Sequence, residues 1–130
     1  MQLCFNGKWA VPVKSNGEFK YDFINTKIRQ VVNYAKISRV DGVHFDYMRY
    51  RGTAHKYKNA CESINYIVKK ASLKIHKIKL NCIVSGAVMP ESSMMKYYYG
   101  QNIPVLSRYL DTLLPMVYKG NYHKKRPWIK

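Results

Sequence analysis

Acidic side chains are scarce in this chain. Seven Asp plus Glu stand against 23 Lys plus Arg, a formal charge of +16. Such an excess predicts attraction to polyanions: nucleic acid, anionic lipid surfaces or acidic wall polymers. It does not bear on the fold. Cysteine is also scarce. Cys4, Cys61 and Cys82 make an odd number, and no two are spaced like a zinc or redox pair. No disulfide framework follows, and the compartment stays open. No apolar run approaches the roughly 20 residues of a membrane-spanning helix, so no membrane span is expected. Met1-Gln2-Leu3-Cys4-Phe5-Asn6 lacks a basic segment followed by a long apolar one, so no signal peptide is expected there. The four histidines are scattered, which gives no metal-ligand spacing. A glycine-rich phosphate loop is missing too. Neither a metal nor another cofactor is expected. Internal repeats, low-complexity tracts and linkers are equally absent.

What is present is a foldable core. Hydrophobic residues make up 47% of 130, enough for one modest domain over residues 1–130. Leu3 to Val13 reads as a strand or a loop, broken by Gly7 and Pro12. A turn follows at Ser15-Asn16-Gly17. Asn25 has the character of a helix cap, and Ile28, Val31, Val32 and Ala35 follow at helical spacing. A strand runs from Gly42 to Tyr47. The polar stretch Arg51 to Asn59 leads to a second helix with the stripe Ile64, Ile67, Val68, Ala71. Asn81 to Met89 is small and apolar almost throughout, as a strand covered on both faces would be, with Cys82 in the core. Pro90 to Asn102 reads as a loop, Pro104 to Leu110 as a short helix, and Thr112 to Tyr118 as a further strand. Alternating strands and helices predict an α/β fold with a parallel sheet.

The stretch Val40 to Tyr50 carries the most chemistry. Along a strand, Val43 and Phe45 fall on one face and His44 and Asp46 on the other. A carboxylate ending an apolar strand, with Arg49 three residues on, suits a site better than a core, because an unpaired buried charge is costly.

Asp41-Gly42-Val43-His44-Phe45-Asp46-Tyr47-Met48-Arg49-Tyr50 resembles the DGIHxDYxRYP signature of the glycosyl-hydrolase-like family 10 proteins. Tyr21-Asp22-Phe23-Ile24-Asn25 with Arg29 looks like the family's segment before that strand. Val84-Ser85-Gly86-Ala87-Val88-Met89-Pro90-Glu91 is similar to its next strand. Tyr99-Gly100-Gln101, Tyr109-Leu110-Asp111 and Leu114-Pro115-Met116-Val117-Tyr118 resemble the one after. The likeness covers about residues 18–122. It implies a (β/α)8 TIM barrel, of which this chain would supply about half, and a glycoside hydrolase acting outside the cell or at its envelope. Arg51 stands where the family has proline.

Glycoside hydrolysis uses two carboxyl groups flanking the scissile bond. Asp46 and Glu91 would end consecutive strands and share one cleft, Asp46 as nucleophile or charge stabiliser and Glu91 as general acid. Arg49 or a substrate hydroxyl would keep Asp46 ionised. The other reading of Asp46 is a salt bridge to Arg49 that only shapes the loop. His44 would bind a sugar hydroxyl or be a satisfied structural histidine. Tyr47, Tyr99 and Tyr118 would line the cleft, against packing as the default. Asp111, at the opposite strand end, reads as structural. The expected partner is a carbohydrate polymer. A half barrel leaves open sheet edges, so self-association or a complementing chain would close it. A catalytically inactive carbohydrate-binding fragment is the alternative. Nucleic acid is the less favoured partner, because strand-end carboxylates would repel phosphates.

Overall fold

The computed structural model describes the backbone of residues 4–5 and 8–9, and residues 10–90 and 95–118 in full. Its elements are β1 (Cys4–Phe5), β2 (Lys8–Trp9), α1 (Tyr21–Ala35), β3 (Gly42–Phe45), α2 (Ala60–Ile78), β4 (Ile83–Val88), α3 (Ile103–Leu106) and β5 (Thr112–Pro115). A 3-10 turn at Ala54–Lys56 precedes α2, and a π-helical turn spans Met95–Tyr99.

β1 and β2 form a small antiparallel pair. The chain then bends at Ser15-Asn16-Gly17, where Gly17 takes φ +90 and donates to the Lys14 carbonyl. Glycine suits that backbone because it lacks a Cβ. Val13 and Phe19 bridge across this turn.

α1 begins at Tyr21, four residues before the expected cap at Asn25, and no side chain caps it. Two features move the start upstream. The Lys20 N–H donates to the Pro12 carbonyl, which fixes the entry to the helix. Ile24 is fully buried and extends the stripe Ile28, Val31, Ala35 by one turn. α2 is long for the same reason: Ala60, Ile64, Ile67, Val68, Ala71 and Ile75 are all buried along one side. Glu62 in its first turn and His76 and Lys77 in its last match the helix dipole.

β3, β4 and β5 make a parallel sheet in that order. Phe45 lies beside Gly86, and Gly86 beside Leu113. Gly86 lets Met48 and Leu110 approach the sheet closely: a Cβ there would sit 2.6 Å from Met48 Cε and 2.9 Å from Leu110 Cδ1, and those side-chain ends would have to shift. Both long helices contribute to the core that contains Phe45, Val84 and Val88. The opposite sheet face carries His44, Ile83, Thr112 and Leu114, all exposed. β5 is shorter than the expected Thr112 to Tyr118. Beyond Pro115 the Met116 N–H still reaches the Val88 carbonyl, but Val117 and Tyr118 turn back on Pro115 and Met116. The loop expected from Pro90 to Asn102 contains the π-helical turn, whose signal is hidden in an aromatic run without apolar periodicity.

The fold is therefore α/β, with helices on one side of a three-stranded parallel sheet. Among the described residues, β3 and β5 are edges and the sheet does not close into a barrel.

Candidate active site

Asp46 directly follows β3, at its C-terminal end, and is exposed. Its Oδ1 accepts the N–H of Tyr47 at 2.9 Å. Tyr47 itself has φ +57, the single non-glycine residue with positive φ among those described. This conformation costs on the order of 1–2 kcal/mol for an L-residue. Such strain gathers at functional sites, where surrounding structure over-determines it. Here the bond to Asp46 and the neighbouring guanidinium hold it.

Arg49 does not pair with Asp46. Its guanidinium lies over the Tyr47 ring at 4.0 Å and faces the Tyr99 ring at 5.6 Å. Nη1 donates to the Tyr50 carbonyl at 3.3 Å, while Nε is buried without a partner among the described residues. The expectation that Arg49 holds Asp46 as an ion pair is thus corrected, as is the salt bridge offered as its alternative. Aromatic rings compete well for arginine, which is weakly hydrated and stacks on ring faces. Among the described residues the carboxylate makes no ion pair.

His44 stands two residues before Asp46 on the open sheet face. Its Nδ1 lies 2.9 Å from Ser85 Oγ, its partner in the β3–β4 register. The ring is exposed, so it is not a buried core histidine. Tyr118 is also exposed, three residues beyond β5.

Gln101 is the residue that sequence reasoning passed over. It is fully buried. Its Oε1 accepts the Met89 N–H at 2.9 Å, and its Nε2 donates to the Met48 and Ala87 carbonyls, both at 3.3 Å. One amide thereby ties the segment after β3 to the end of β4. Tyr50 reinforces the same corner. Ser63 Oγ donates to the Ala60 carbonyl, so the Tyr50 hydroxyl must be the donor in its 2.9 Å bond to Ser63. Burial pushes the Tyr50 pKa up to about 12.

Glu91 lies outside the described residues, and so does its distance from Asp46. Its chain neighbour Pro90 follows Met89, whose N–H Gln101 holds. At the other end of the sheet Asp111 accepts the Val84 N–H at 2.8 Å and pairs with His76 Nε2 at 3.0 Å. The Val84 bond is the main cause holding its carboxyl below the usual 3.8. Asp111 is a structural clasp. Among the described residues no group of His, Cys, Asp and Glu could hold a metal ion, and no helix is long and apolar enough to cross a membrane.

No family model matches the chain, and no curated protein is significantly similar to it. One solved structure is similar: the crystal structure of the spore cortex-lytic enzyme SleL of Bacillus megaterium QM B1551, at 20% identity and a TM-score of 0.57. The match covers 78% of this chain and 22% of that one, so this chain spans about a fifth of the enzyme's length. At that identity the likeness shows a shared α/β fold.

Proposed function

We propose that this chain is part of a glycoside-hydrolase-like barrel that cleaves O-glycosidic bonds in a polysaccharide or wall glycan. The carrying observation is Asp46: an exposed carboxylate at the C-terminal end of a parallel strand, without an ion pair among the described residues and bonded to the strained Tyr47. Catalytic groups of parallel barrels occupy that end of the strands. Asp46 acts as nucleophile or charge stabiliser and Glu91 as general acid, with His44 and the tyrosines Tyr47, Tyr99 and Tyr118 along the glycan. The likeness to a cortex-lytic enzyme supports the substrate class, and the DYxRY stretch supports the family 10 resemblance. The test is reducing-end release from wall glycan by the protein and its Asp46→Asn and Glu91→Gln variants. Each substitution is expected to lower turnover at least 10³-fold, within the range general acid–base and nucleophilic groups contribute. Unchanged release in both overturns the assignment.

The second reading is a non-catalytic glycan-binding fragment. The sheet face and the edges at β3 and β5 left uncovered among the described residues favour it. Glycan retention in an affinity gel, without hydrolysis by the wild-type chain, would select it.

A further inference from the structure

β3 and β4 are parallel neighbours, with Gly42 beside Ile83. The segments that enter them therefore lie at one end of the sheet, the end opposite Asp46. Lys36-Ile37-Ser38-Arg39 leads from α1 toward β3, and Lys77-Ile78-Lys79-Leu80 leads from α2 toward β4. Lys79 clasps the two together. Its ammonium donates to the Ile37 carbonyl at 2.9 Å and to the Val40 carbonyl. The Ile83 N–H adds a bond to the Asp41 carbonyl at 3.0 Å. The tip so formed is apolar as well as basic. Ile37, Ile78 and Leu80 are 44%, 47% and 81% exposed, and each has a lysine next to it in the chain. Arg39 is exposed in the first segment, and Arg108 in the one that enters β5. Two carboxylates share this end: Asp41, and Asp111, which is engaged by the Val84 N–H and His76. Glu18, Asp22 and Glu62 belong to the other end. The turn before Glu18 is bonded to Asn59 at the entry to α2, and Asp22 and Glu62 lie in the first turns of their helices. Asp46 and Glu91 follow the C-terminal ends of β3 and β4 in sequence.

We infer that this end of the sheet is a peripheral docking surface for a lipid membrane with anionic headgroups. Ile37, Ile78 and Leu80 enter the boundary between headgroups and acyl chains, while Lys36, Arg39 and Lys77 meet the lipid phosphates. In interfacial binding, buried apolar area and attraction to anionic lipid add, and each Lys or Arg near the surface contributes. A soluble polyanion would satisfy the cations but give the isoleucines and the leucine nothing to be buried in. Exposed apolar residues gathered within a polar rim mark a surface that something covers, and the surrounding positive charge selects a negative one. The contact needs no spanning helix. Nor does it depend on the glycan-cleaving reading. It does set an orientation: β3 runs from this end to Asp46, so the candidate site points away from the bilayer.

The test mixes the full chain with vesicles of phosphatidylcholine alone and of equal parts phosphatidylcholine and phosphatidylglycerol, and reads bound protein by sedimentation. The anionic vesicles are expected to bind about tenfold more tightly or better, and less so as salt rises. Leu80→Ser alters a side chain that stands in water, so Tm is expected to hold while vesicle affinity falls about fivefold. Arg39→Gln with Lys77→Gln is expected to cost about tenfold or more on anionic vesicles and nothing on neutral ones. Leu80→Trp is expected to add an emission that moves to the blue with vesicles and is quenched by brominated acyl chains. No binding to anionic vesicles, equal binding to neutral ones, or unaltered affinity in Leu80→Ser overturns the inference. So does a Leu80→Trp emission that keeps its value in water, because the chain then adsorbs through charge alone. If Leu80→Ser instead lowers the sedimentation coefficient of the lipid-free chain, the apolar tip covers a second copy and the lipid assignment falls.

Discussion

Gln101 holds three backbone groups with one side chain, and none of them has water as a substitute at full burial. Removing such an amide leaves a buried N–H and two carbonyls short of partners, at about 1–3 kcal/mol for an unsatisfied group. Gln101→Leu, which keeps the volume, is therefore expected to cost about 2–3 kcal/mol. The denaturant midpoint should fall while the slope stays constant, as it does when stability changes without altering the surface exposed. A shift indistinguishable from zero would mean the amide is not the tie between the two strand ends. The same residue sets the Asp46 corner from behind. Tyr47 can keep its costly φ because Arg49, itself packed on Tyr99, lies over its ring. The strained tyrosine, the stacked arginine and the buried glutamine thus form one connected support for a carboxylate that makes no ion pair among the described residues.

At the scale of elements, Asp111 links α2, β4 and the start of β5. Its carboxylate takes the Val84 N–H and pairs with His76, while its own N–H reaches the Val84 carbonyl. The folded carboxyl sits below the ordinary 3.8, chiefly through the Val84 bond. A depressed folded value contributes stability above the unfolded pKa. That contribution is lost as pH falls through the folded one, below about pH 4. The side chain is 45% exposed, so screening keeps the effect under about 1 kcal/mol. Asp111→Asn is expected to lower stability near pH 6 and to flatten the acid limb below pH 4. Chemical denaturation at pH 6 and pH 3 checks both; parallel curves for the two proteins would rule the clasp out.

Elements were legible where one face is buried. Ile64, Ile67, Val68 and Ala71 on α2, and Val43 and Phe45 against His44 on β3, repeat at the period of their structure. The start of α1 was misplaced because Asn25 has a cap's chemistry, whereas the true start is fixed by a distant backbone bond from Lys20 to Pro12. The turn at Met95–Tyr99 was invisible because only Met95 of its five residues is buried. The place of Asp46 at the C-terminal end of β3 was legible from spacing. The partner of Arg49 was not, because Tyr99 lies fifty residues further along the chain and reaches it only through the fold.

The whole molecule sets two forces against each other. Its sheet has helices on one face, and the other exposes Ile83 and Leu114 at 57% and 48%. β3 and β5 are edges among the described residues, and unpaired edges are templates for another strand. Apolar area and free backbone groups both favour association, with a second copy or with a complementing chain. The formal charge of +16 opposes self-association by mutual repulsion. Repulsion between exposed charges is screened by salt, with a Debye length of about 10 Å at 0.1 M and about 3 Å at 1 M, while apolar contact is not. Self-association is therefore expected to strengthen as salt rises, the reverse of binding to a polyanion, which weakens through counterion release. Sedimentation velocity across a concentration series at 50 mM and 500 mM NaCl reads the sign directly. Leu114→Lys, placing a charge on the open face, is expected to abolish the high-salt species without lowering Tm. A compact monomer at every concentration and both salts would show that the exposed face and edges tolerate water, and that this chain needs no second one to cover them.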